Sequence, residues 1–154
     1  MTLEVDVQIA SDEDDLPGQP DFRTWARAAL GDDRQDSELT IRIVDEKESA
    51  LLNSRYRRKD DATNVLSFPF ESPAGIDMPL LGDIVICAPI VKREAREQSK
   101  SEGSHWAHMV VHGSLHLLGF DHEQDEEARK MEAMETRILS ELGYDNPYES
   151  RGIS

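Results

Sequence analysis

The chain has a single cysteine, Cys87, which cannot close an intrachain disulfide. Nothing therefore points to an oxidising compartment, and the place of Cys87 in the apolar run Ile84-Val85-Ile86-Cys87 suits a buried thiol. The stretch Met1 to Ala10 lacks the basic segment and apolar block of a secretion signal. Apolar runs approaching the ~20 residues that span a bilayer are absent too. The expectation is a cytoplasmic protein without a membrane partner. Repeats and low-complexity tracts are missing, and the 154 residues fit one domain, 1–154, long enough to bury a core without staples.

Positive charge is scarce. Against 32 Asp and Glu stand 17 Lys and Arg, a net charge of -15. Taken alone, that balance disfavours nucleic acid, because phosphate binding draws on clustered cations. The few cations are gathered, however: residues 1–50 carry 5 basic and 14 acidic groups, 51–100 carry 8 and 7, and 101–154 carry 4 and 11. The central third holds two clusters, Arg55, Arg57, Arg58 and Lys59, then Lys92, Arg93, Arg96 and Lys100. Each cluster judged alone reads as a solvated face.

Leu3, Val5, Val7 and Ile9 alternate with polar residues and predict a strand over 3–9, wet on one face. Phe22, Trp25, Ala26, Ala29 and Leu30 recur at helical spacing and predict a helix over about 21–30, ended at Gly31. A strand over Leu39, Ile41 and Ile43 and a helix over 46–56 follow, then strands from Thr63 to Phe68 and from Leu80 to Cys87. Pro89 opens a helix on which Lys92, Arg96 and Lys100 share a face as a basic stripe. The next helix runs from Ser104, a candidate N-cap, to Gly119. The last starts on the acidic turn Glu123, Asp125 and Glu126, buries Met131, Met134, Ile138 and Leu142, and ends at Gly143. Mixed strands and helices without regular alternation predict an α+β layer: a small mixed sheet of about four strands packed against about five helices.

The helix over 104–119 carries His105, His108, His112 and His116 within roughly 80° of one another, while most of its remaining circumference is apolar. A buried imidazole stripe needs partners, and a metal ion satisfies several imidazoles together. His112 and His116 lie one turn apart and can aim both rings at one ion. The turn permitted by Gly119 then lets His122 supply a third ligand. This places a metal site at the end of a buried helix with one coordination position open, the arrangement of catalytic zinc rather than structural zinc. Spacing by itself leaves His105 and His108 open as ligands, and imidazoles also accept nickel, copper or iron. The segment copies the ligand spacing of metzincin proteases, but Gly113 stands where those enzymes carry their glutamate base. Asp121 is either a carboxylate that orients His122 or a turn residue.

Three motifs in order carry a further resemblance. They are the run from Leu52 to Pro69, with Tyr56-Arg57-Arg58-Lys59 and Asp61-Ala62-Thr63-Asn64-Val65-Leu66-Ser67-Phe68-Pro69; then Leu81-Gly82-Asp83-Ile84-Val85-Ile86-Cys87; then His112-Gly113-Ser114-Leu115-His116 continuing to His122. Together they closely resemble the YbeY family over about residues 40–145. The resemblance implies a bacterial single-strand-specific, metal-dependent endoribonuclease of ribosomal RNA processing, acting in 16S rRNA 3' end maturation and small-subunit quality control. It implies one Zn2+ per chain on His112, His116 and His122, and it carries the family's functional arginine onto Arg57. Implied partners are ribosomal RNA and the small ribosomal subunit, with ribosomal proteins or assembly GTPases beside them. A guanidinium can hold a phosphate in its planar fork, the alternative for Arg57 being a surface ion pair. Ala62 departs from the proline frequent there in the family. The rival readings are a noncatalytic zinc-containing ribosome assembly factor and a zinc peptidase.

Overall fold

The computed structural model describes residues 2–31, 36–75 and 78–148. Its elements run β1 (Leu3–Ala10), α1 (Gln19–Leu30), β2 (Ser37–Val44), α2 (Glu46–Arg57), β3 (Val65–Pro69), β4 (Leu80–Cys87), α3 (Ala88–Glu97), α4 (Glu102–Leu117) and α5 (Asp125–Glu141). The strands form one mixed sheet in the order β1-β2-β4-β3, parallel except for β3, which pairs antiparallel with β4. The architecture is the α+β layer that the element order predicts.

Alternation along β4 organises the packing. Ile84 and Ile86 enter the main core with Phe22 and Trp25 of α1, Trp106, Val110 and Leu115 of α4, and Met131 and Ile138 of α5. Val85 and Cys87 enter a second cluster with Val44, Leu66 and Ile90, against which Leu52 of α2 packs. A central strand buried on both faces explains the continuous apolar run at its end. Burial pushes the Cys87 thiol up to about 11, so the lone cysteine is an inert packing group. Phe22 and Trp106 meet edge to face at 5.8 Å, tying α1 to α4. No helix among the described residues is long and apolar enough to cross a membrane.

Four local expectations are corrected. Ser101, not Ser104, caps α4: its hydroxyl accepts from the Ser104 amide at 3.1 Å, which places Ser104 at the third helical position. The helix before it stops at Glu97 and Ser99 adopts a left-handed φ of 55°, so Lys100 lies beyond it and the basic stripe is broken. Lys92 donates to the Asp14 carbonyl and Lys100 to the Pro147 carbonyl, where each ties down a loop. Glu123 precedes α5, whose acidic first turn is Asp125, Glu126 and Glu127. At the outer strand, Leu3 and Val5 are buried and Val7 is half-buried against the core, but Ile9 is 55% exposed, so the apolar face predicted for β1 opens to solvent toward its end.

The main helix lies unusually close to the sheet. A β-carbon added at Gly113 would stand 2.8 Å from Ile84 Cγ2 and 3.2 Å from Ser67 Oγ, and the Ser67 hydroxyl donates to the Gly113 carbonyl at 3.3 Å. Only a residue without a side chain permits this approach of α4 to β3 and β4. We expect Gly113→Ala to lower stability by about 1–3 kcal/mol through overpacking, measured by denaturant unfolding. An unchanged midpoint would contradict the close approach.

Candidate metal centre

Helix α4 is buried on nearly all sides, and its histidines fall along a gradient of exposure: His105 and His108 are buried, His112 and His116 half-buried. At its C-terminal end Gly119, with φ 100°, turns the chain, and His122 comes back toward the helix. The Asp121 carboxylate accepts from the backbone amides of His122 (2.7 Å) and Glu123 (3.2 Å), the behaviour of a turn residue. Of the two roles weighed for Asp121, these contacts are those of the turn.

The ring nitrogens converge. His116 Nε2 lies 3.1 Å from His112 Nε2 and 3.0 Å from His122 Nδ1. A shared proton satisfies one such pair, not both, whereas one ion accepts a lone pair from each ring. Ligands about 2.05 Å from a tetrahedral zinc stand roughly 3.3 Å apart, close to these separations, so the donor set fits zinc. Burial, reinforced by the two neighbouring histidines, pushes His116 down to about 4, which leaves its ring neutral and its lone pair available at neutral pH.

A second group of described side chains, His108, His112 and Glu135, also has ligand atoms within 4.8 Å of one another. Glu135 comes from the buried face of α5 and is 1% exposed. Its carboxylate lies 2.7 Å from His108 Nε2 and 3.3 Å, through each oxygen, from His112 Nδ1, and it accepts from the Tyr148 hydroxyl at 2.6 and 2.9 Å. Burial works to raise its pKa, but hydrogen bonds from His108 and His112 outweigh this and hold it at about 2. Burial pushes His108 below the usual imidazole value despite that carboxylate, and it raises the Tyr148 hydroxyl, as does Glu135. The sequence reading passed over Glu135. The available signal was its position four residues after Met131 and three before Ile138, a carboxylate inside the apolar stripe.

His105 is held differently. Its Nε2 lies 2.8 Å from a Glu94 oxygen, and the same carboxylate accepts from Asn64 Nδ2 at 3.1 Å. Burial opposes ionisation of Glu94, but its bonds to His105 and Asn64 lower its pKa. Neither His105 nor His108 belongs to the converging trio.

The trio forms one wall of a cleft of about 430 Å³, and Arg57, Lys59, Asn64 and Ser67 contribute to the other walls. Arg57 is the last residue of α2, exposed, and makes no ion pair among the described residues. Arg55 and Arg58 do not line the cleft. The loop between α2 and β3 is pinned from α2: Asn53 Nδ2 donates to the Asp61 carbonyl at 2.7 Å, and the Ser49 hydroxyl donates to the Thr63 carbonyl at 2.9 Å and accepts from the Thr63 amide at 3.0 Å. Ala62 therefore sits in a loop already fastened from the helix side. Gly113 faces the sheet without space for a side chain, so the base of a peptidase has no room at that position.

The solution structure of protein TM1509 from Thermotoga maritima is similar to this chain, with a TM-score of 0.55 and 24% sequence identity, covering 93% of this chain and 99% of that one. At that identity the likeness speaks for the fold. A family model described as endoribonuclease YbeY matches residues 8–143. Matched along nearly its whole length, this chain belongs to the YbeY endoribonuclease family.

Proposed function

We propose that this chain is a zinc-dependent endoribonuclease that cuts single-stranded ribosomal RNA, with the ion held by His112, His116 and His122 and the scissile phosphate held by Arg57. The observation that carries the reading is the convergence of three ring nitrogens, 3.0 and 3.1 Å apart, in the same cleft as a guanidinium that makes no ion pair among the described residues. The trio is favoured over the group around Glu135 because it opens to the cleft, whereas Glu135 is closed off by His108 and Tyr148.

Bound there, zinc supplies a Lewis acid that polarises a phosphoryl oxygen and lowers the pKa of water. Three neutral imidazoles leave the ion its full charge, which suits an anionic phosphodiester. Arg57 offers two parallel N–H donors to the phosphate and steadies charge gathering on it, while Lys59 adds a point charge to the same wall. Unpaired nucleotides reach such a cleft more easily than a stiff duplex does.

Membership of an endoribonuclease family implies RNA as substrate. We extend this to ribosomal RNA processing in the cytoplasm, to 16S rRNA 3' end maturation and small-subunit quality control, on the small ribosomal subunit and with ribosomal proteins or assembly GTPases. The strongly acidic composition favours docking on such an assembly over tight capture of free RNA. The rival of a noncatalytic assembly factor predicts that metal-loaded protein cuts no RNA.

Metal analysis of purified protein should find about one zinc per chain, lost when His112, His116 and His122 are all replaced by alanine. Unchanged metal content in that variant would remove the site. For Arg57→Ala we expect retained zinc and fold with cleavage of precursor ribosomal RNA lowered on the order of 10²-fold or more, as for loss of one donor to developing charge. Full activity would remove its role. Precursor ribosomal RNA incubated with wild type and with His116→Ala decides between enzyme and assembly factor, the variant controlling for contaminating nucleases.

A further inference from the structure

Glu135 lies outside the cleft, buried behind the histidine stripe, yet it reaches the trio through His112. An ionised carboxylate only accepts hydrogen bonds, so a ring nitrogen that faces it bears the proton. At His112 that nitrogen is Nδ1, 3.3 Å from both carboxylate oxygens. The proton on Nδ1 leaves Nε2 with its lone pair, and Nε2 is the atom 3.1 Å from His116 Nε2.

We propose that Glu135 is a positioning residue that fixes the tautomer and ring orientation of His112, so that Nε2 is presented to a metal shared with His116 and His122. Two further groups hold the carboxylate for this task. His108 grips one oxygen at 2.7 Å from the same helix as His112, and the Tyr148 hydroxyl reaches both oxygens from the segment after α5. That segment is itself fastened: Lys100 Nζ donates to the Pro147 carbonyl at 2.9 Å, and the Tyr148 amide donates to Asn146 Oδ1 at 2.8 Å. The buried histidine His108 thus supports a metal ligand without being one. The alternative, a metal held by His108, His112 and Glu135, would take His112 through Nδ1 and turn its Nε2 from ligand to spectator.

The inference rests on the zinc reading above and is tested without measuring RNA cleavage. The full chain, as wild type, Glu135→Gln and Tyr148→Phe, is titrated with zinc against a chromophoric chelator, and nitrogen NMR spectra of the histidine rings are recorded with and without zinc. We expect Glu135→Gln to weaken zinc binding by about 10–100-fold and Tyr148→Phe by a smaller factor. Wild-type protein should show His112 protonated at Nδ1 and ligated through Nε2. A residue that only packed α5 against α4 would lower the unfolding temperature on replacement while leaving zinc affinity and the His112 tautomer unchanged. That result, or ligation through Nδ1, overturns the proposal. Should Glu135→Gln fail to fold, Tyr148→Phe leaves His112 untouched and decides alone, unchanged affinity and ring spectrum counting against the inference. A wild type that takes up no zinc overturns the zinc reading and this inference with it; equal affinity in all three proteins overturns this inference alone.

Discussion

Four imidazoles lie along one side of a helix that is buried almost everywhere else, and each must find inside the protein the partner that water would otherwise supply. The neighbouring elements are arranged to provide those partners. Toward the N-terminus of α4, Glu94 of α3 meets His105, and one turn on, Glu135 of α5 meets His108. His112 is shared, one ring nitrogen toward Glu135 and the other toward His116. His116 meets histidine rings through Nε2 from either side, those of His112 and His122, while its ring is also bonded to the Phe120 backbone. Partner type thus changes along the helix from carboxylate to imidazole as exposure rises, and lone pairs meet lone pairs where the cleft opens.

This arrangement links the histidine wall of the cleft to the core. Glu94, which holds His105, also holds the Asn64 amide at the cleft, and Glu135 joins α5 and the segment ending at Tyr148 to the same helix. On the opposite wall, Ser49 and Asn53 tie the loop after α2 through its backbone. Both walls are therefore held by hydrogen bonds from regular elements rather than by loop packing alone, which is how a scaffold keeps reacting groups in register.

Features with a local period were legible in the sequence. Every strand and helix was expected within a few residues of where it stands, and the four-residue spacing of His112 and His116 with the turn at Gly119 announced the trio, because helix geometry alone brings those rings together. Features that depend on distant neighbours were not. The position of β4 between β2 and β3 has no local signature. Glu135 was hidden among apolar residues because its reason for being buried lies on α4 and beyond α5. Lys92 and Lys100 share a basic stripe by helical spacing, whereas tertiary structure gives each a backbone carbonyl. Ser101 and Ser104 are equal candidates as caps by composition, and only the helix start separates them. Arg57 needed the family resemblance, since an exposed arginine at a helix end is common and its meaning comes from the cleft it borders.

The contact at Gly113 also bears on descent. Glycine and glutamate codons can differ by one base, so a peptidase-like base next to His112 looks like a short mutational step from this sequence. Packing works against that route. The helix rests on Ile84 and Ser67 at that position, and a side chain there would press on both and strain the cleft wall that the helix forms. Two chemistries that share a histidine spacing are thus separated here by the distance between a helix and a sheet, which leaves a glutamate after the first histidine no ready place.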